Sequence, residues 1–182
     1  MQLAAYAFRV LERSFFRQQS ISIRSRMVVY TSMVTSVLLY GSEAWSLTAA
    51  QLHHLEVFHH HCLRMILGVR WANRISTAQL LAECKSRPIA DIIARRQLRW
   101  LGHVGRMAPD RLALQILHST MGGQGRCRRV GRPLPSLCDT YERLVREHLG
   151  SKRLCDEGLP RSATWLTACK DRGLFRGLCN TT

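Results

Sequence analysis

The sequence predicts an all-α protein: an irregular helical bundle followed by a basic, partly disordered carboxy-terminal tail. Three observations carry that expectation. Apolar residues recur at helical spacing in one stretch after another, most clearly in DIIARRQLRWLGHVGRM, from Asp91 to Met107. Two capping boxes, Thr48 with Gln51 and Ser76 with Gln79, mark helix starts. Gly41 and Gly68 stand where two periodic runs stop.

Length and composition set the class. At 182 residues the chain suits one domain, or one domain with a tail, and can bury a core. A hydrophobic fraction of 46% is ordinary for a globular protein. The charge is not: 27 Lys plus Arg stand against 12 Asp plus Glu, a net +15, and all the cations but Lys85, Lys152 and Lys170 are arginine. Arginine grips phosphate through a planar fork, so such an excess favours a polyanion partner. The bland alternative is a GC-rich coding sequence. Seven cysteines, odd in number and irregularly spaced, read as reduced thiols. No secretory signal opens the chain, and an intracellular setting, cytoplasmic or nuclear, is expected. The longest uncharged run, Met27 to Ser42, is 16 residues and contains several Ser and Thr. It falls short of the roughly 20 that span a bilayer, so no membrane is expected.

Taken in order, residues 3–17 set Leu3, Ala7, Phe8, Leu11 and Phe15 beside the arginine row Arg9, Arg13 and Arg17, a helix. Opening so abruptly on an amphipathic pattern suggests a chain cut from something longer. Ile23 to Tyr40 places Met27, Tyr30, Val34, Val37 and Leu38 at helical spacing. Its β-branched content leaves a strand at its end as the alternative. The run YGSEAW, Tyr40 to Trp45, reads as a turn packed by two aromatics, with Glu43 as a structural carboxylate. The Thr48 capping box opens a helix whose stripe is Leu52, Leu55, Phe58, Cys62, Leu63 and Ile66, with Leu47 and Leu52 as the staple.

That helix carries His53, His54, His59, His60 and His61. No pair stands at i, i+4, the spacing that lets two helical histidines share an ion, so solvated or phosphate-facing histidines are expected and no metal. Cys62 beside His61 makes no dyad, because adjacent helical residues point about 100° apart. No cofactor site is legible.

Thr77 to Cys84 reads as a short helix, and Pro88 as the first helical position of the Asp91–Met107 stretch. At 100° per residue, Arg95, Arg96, Arg99, His103 and Arg106 fall within one arc of about 100°. Ile93, Leu98, Trp100, Leu101, Val104 and Met107 occupy most of the other side. The helix thus offers a cationic ridge outward and an apolar face inward, with Trp100 packed rather than stacked on a base. Gly102 and Gly105 either admit a neighbour closely or end the helix early. Pro109 and Asp110 start another helix with Leu112, Ile116 and Leu117 as its core face. Gly122 to Pro133 has four Gly, four Arg and no acid. It reads as a mobile linker, an arm of Arg126, Arg128, Arg129 and Arg132 that orders on phosphate, or both. Tyr141 to Leu149 suits a helix, and Trp165, Leu166, Cys169 and Phe175 suggest a last one.

Several of these motifs, in this order, resemble the carboxy-terminal part of non-LTR (LINE-type) retrotransposon reverse transcriptases. They are the Tyr40–Trp45 run, the F-H-x-x-C-L-R-x-I-L-G helix from Phe58 to Gly68, the R-W-L-G-H-V helix from Arg99 to Val104, and the G-R-P at Gly131–Pro133. The likeness covers about residues 3–135 well and the rest weakly. It implies thumb-like helices over 1–70, linker helices over 71–120, a flexible Gly/Arg-rich segment over 121–135 and a weakly helical tail over 136–182. The family's polymerase chemistry uses palm aspartates at a Y-x-D-D turn, which does not occur here, so the chain itself is expected to lack catalysis. Cys127, Cys138, His148 and Cys155 do not match the family's zinc-knuckle spacing, and the tail departs from its pattern.

The expected function is non-specific binding of RNA or DNA phosphates by Arg95, Arg96, Arg99, His103 and Arg106, with the Arg126–Arg132 arm. The resemblance adds a polymerase palm as a further partner, with apolar surface on residues 3–45 left for it. The alternatives are a co-opted helical adaptor for an acidic protein and a translated relic without activity.

Overall fold

A computed structural model describes residues 1–18, 20–69, 73–121, 137–149 and 169–180. These are helical with no strand among them, so the fold is all-α. The chain divides into two compact units, one of Met1–Ser42 with Leu47–Ile92, the other of Glu43–Ser46 with the residues from Ile93 onward.

In the first unit, α1 (Gln2–Leu11) runs into a π-helical turn, Glu12–Phe16. The wider turn changes the register that a 3.6-residue period predicts. Phe16, not Phe15, is fully buried; Phe8 is buried as expected, and Ala4 rather than Leu3 accompanies it on the inner face. A second helical run repeats the device: α2 (Ile23–Val29), a π-helical stretch Tyr30–Thr35, then α3 (Ser36–Leu38). It stays helical to its end, so the strand alternative falls. Tyr30, Val34, Leu38 and Leu39 are its buried apolar residues, with Thr35 buried beside them, while Val37 is exposed. Gly41, at φ +69°, closes it in the left-handed region that glycine tolerates.

Both capping boxes form. Thr48 Oγ1 accepts from Gln51 N, and the Gln51 side chain returns to Thr48 N at the head of α4 (Ala49–Leu67). Ser76 and Gln79 do the same for α5 (Thr77–Glu83). Gly68, also at φ +69°, terminates α4. The Arg26 guanidinium donates to the carbonyls of Phe16 and Ile66, tying the π-turn to the last turn of α4. Phe8, Phe16, Tyr30 and His59 form the aromatic heart of this unit, Phe8 on Phe16 at 5.0 Å between ring centroids.

The apolar surface of this unit is not all used. Leu3, Tyr6 and Val10 share one face of α1 and are exposed, as are Met33, Val37 and Tyr40. Tyr40 is 84% exposed, so the turn at Tyr40–Trp45 is not packed by two aromatics as expected.

α6 (Ile89–Gly105) begins in the first unit and supplies the main core face of the second. There Ala94, Leu98, Leu101 and Val104 pack with Leu114 and Leu117 of α7 (Leu112–Met121), Tyr141 and Leu144 of α8 (Leu137–Leu149), Cys169, and Phe175 of α9 (Arg172–Asn180). The expected α7 face is corrected: Leu112 and Ile116 are exposed, and Leu114 with Leu117 is buried. Trp165 and Leu166 lie outside the described residues. None of the described helices is long and apolar enough to cross a membrane.

Candidate nucleic-acid interface

The basic ridge depends on how α6 is held. Its first intrahelical bond is Ile92 N to Pro88 O at 3.2 Å, which puts Pro88 at the N-cap rather than at the first helical position. Glu56 of α4 reaches this end, its Oε1 accepting from Ala90 N at 2.9 Å. A carboxylate there satisfies an orphan donor and complements the positive end of the helix dipole, as does Asp91 in the first turn. Further along, Gln97 is buried, and its Nε2 donates to Trp45 O at 2.7 Å. Beyond the last turn, Arg106 N bonds to His103 O and Met107 N to Val104 O.

Gly102 shows why α6 carries glycine there. A Cβ built on it would stand 2.6 Å from Phe175 Cδ1, so the position admits an aromatic ring against the helix backbone. Gly102 therefore serves close approach, of a side chain rather than a backbone, and the helix continues to Gly105. Trp100 is half-buried and stacks on Tyr141, ring centroids 6.0 Å apart. Tyr141 in turn donates its hydroxyl to Glu43 O at 2.7 Å, so Glu43 is used through its carbonyl. Trp100 belongs to the packing, as expected.

The ridge is narrower than its sequence pattern. Arg99, His103 and Arg106 are exposed, and at 100° per residue they span an arc of about 60°. Arg95 and Arg96 flank that arc and are half-buried. Arg95 is the clearest departure: its Nε and Nη2 are shielded from solvent and have no hydrogen-bond partner among the described residues. The reason is position, since Arg95 sits one step around the helix from Gly102 and Leu98, which are covered. Arg106 is exposed, and its Nη1 donates to Cys169 O at 3.1 Å. Arg126, Arg128, Arg129 and Arg132 lie outside the described residues.

One cation escapes sequence reasoning. Arg111, exposed in the turn between α6 and α7, joins His103, Arg106, Met107 and Ala108 around an open cleft of about 440 Å³. The helical wheel does not find it, because α6 ends six residues before it. The visible signal is a second arginine on the far side of the Ala108–Asp110 turn.

The histidines divide by environment. His53, His54 and His61 are exposed, as expected. His59 is not solvated: it is 1% exposed, with Tyr30 Oη 2.8 Å from Nδ1 and Ser86 Oγ 3.3 Å from Nε2. Burial, with His60 beside it, lowers its pKa to about 4, the Arg87 backbone acting the other way. The signal lies in the spacing, since His59 stands four residues after Leu55 and three before Cys62 on the apolar stripe. His60 is half-buried, 3.5 Å from Glu56, and its pKa is lowered by burial against the pull of Glu56.

Among the described residues no group of three or more His, Cys, Asp or Glu could hold a metal ion. Burial pushes the Cys62 thiol up to about 12 and the Cys84 thiol to about 11, so neither offers a thiolate at neutral pH. The described chemistry is that of a cationic surface, with packing beneath it. No protein family, curated protein or solved structure matches the chain.

Proposed function

We propose that the chain is a carboxy-terminal fragment of a retroelement reverse transcriptase, thumb-like and linker helices, that binds RNA or DNA phosphates without polymerase catalysis of its own. The observation that carries the reading is the exposed row Arg99, His103 and Arg106 on a helix whose other side is fixed in a core. Cations at helical repeats on a helix fixed in a core can follow a phosphate backbone without reading bases. Arg126, Arg128, Arg129 and Arg132 add cations for the same partner. The motif order from Tyr40 to Pro133 supports the family.

The exposed Leu3, Tyr6 and Val10 support a further partner. α1 is apolar on two faces, one buried and one open, which suits a helix sandwiched within a larger assembly. The polymerase palm is the partner that the resemblance supplies.

The test is a fluorescence titration of labelled duplex with the full chain and with an Arg99→Glu, Arg106→Glu double variant. Reversing two phosphate-facing cations is expected to weaken binding at least about tenfold. Unchanged binding, with helicity retained, contradicts the assignment of the ridge. Loss of capture of an acidic protein, with nucleic-acid binding weak throughout, would favour the adaptor instead.

A further inference from the structure

The cleft between α6 and α7 has a chemistry that phosphate tracking does not require. Arg106, Arg111 and His103 bring cationic or protonatable groups to it, and no carboxylate lines it among the described residues. Met107 and Ala108 bring apolar surface, Met107 reaching it from the side of the core. A bare phosphate needs only the first set. A duplex would leave the second unused, because the flat faces of its bases are stacked on one another and only their edges open into the grooves.

The site is also built rather than loose. Arg111 N bonds to Ala108 O at 3.0 Å, and Arg111 O accepts from Leu114 N and Gln115 N as α7 begins. Gln115 Nε2 donates back to Pro109 O at 3.3 Å. Arg106 is held from the other side by Cys169 O. The backbone of the turn that carries Arg111 and the guanidinium of Arg106 are thereby held before any ligand arrives, which lowers the ordering cost of binding. The volume, about 440 Å³, lies within the roughly 300–1,000 Å³ of small-ligand sites.

We propose that this cleft seats one unpaired nucleotide of a single strand, its base against Met107 and Ala108 and its phosphate between Arg106 and Arg111. The inference rests on the nucleic-acid reading above and deepens it: the ridge grips any backbone, while the cleft favours a strand whose bases are free. Arg111 becomes a binding residue, and the preference is for exposed bases rather than for a sequence.

The test uses the full chain and a fluorescent single strand of about ten nucleotides, compared with an abasic strand of the same length. Removing the bases is expected to weaken binding about tenfold. Arg111→Ala should weaken binding of the base-bearing strand about fivefold. Ala108→Glu, at an exposed position, should bring the two strands to equal affinity. Equal affinities in the unaltered chain, with binding still salt-dependent, overturn the cleft and leave the ridge. Discrimination that persists undiminished in Ala108→Glu also overturns the cleft. Failure of both strands to bind overturns the nucleic-acid reading itself.

Discussion

Tyr30 Oη and His59 Nδ1 lie 2.8 Å apart inside the first unit, each residue 1% exposed. Burial holds the Tyr30 phenol well above its ordinary range, so it stays protonated beside the imidazole. Ser86 Oγ faces the other ring nitrogen, Nε2, at 3.3 Å. One polar chain thus links α2's continuation, α4 and the segment before α6. Tyr30→Phe strands a buried ring nitrogen and should cost about 1–3 kcal/mol, read from the urea midpoint. An unchanged midpoint would show that the pair contributes nothing.

The same histidine makes the fold acid-sensitive. Its pKa is about 4 in the folded chain, against 6.5 for a solvated imidazole of the unfolded chain. Above 6.5 both states hold it neutral. Between 6.5 and about 4 the unfolded chain binds a proton that the folded one refuses, so stability falls as pH falls. The full loss from this group is about 3 kcal/mol, and the lowered pKa of His60 acts in the same direction. Urea unfolding at about pH 7 and about pH 4 reads it. His59→Asn should flatten the difference, and an equally steep profile in that variant would count against the assignment.

Gly102 sets intrinsic helix propensity against packing. Alanine is the better helix former by about 1 kcal/mol, yet its methyl would meet the buried Phe175 ring. Gly102→Ala should therefore destabilise by about 1–3 kcal/mol on thermal unfolding. In a Phe175→Ala background the same change should become neutral or stabilising. Destabilisation of the same size in both backgrounds would mean that the ring is not the reason for the glycine.

Glu56 joins α4 to the start of α6 through Ala90 N. Glu56→Ala should cost about 1 kcal/mol, the ordinary loss of a cap with its dipole interaction. Amide exchange in Ala90–Ile92 should speed up more than in the middle of α6. Uniform protection across the helix would contradict a capping role.

Helix identity is legible wherever local chemistry decides it. The Thr48 and Ser76 boxes and the Gly68 stop form as their residues dictate. What the wheel does not supply is register across the π-helical turns, where Phe16 takes the place expected of Phe15. Nor does it say which edge of a cationic arc a neighbour covers, and Arg95 is lost to that edge. His59 is readable on its stripe, although residue type groups it with its exposed neighbours. Arg111 is invisible to periodicity, because the turn that brings it beside Arg106 lies outside any helix.

The central claim is electrostatic capture of a nucleic-acid backbone, and its salt dependence tests it most directly. If about six phosphates are neutralised, the logarithm of the duplex association constant should fall against the logarithm of salt concentration with a slope of roughly −5. A flat dependence, or no binding at low salt, would contradict the account.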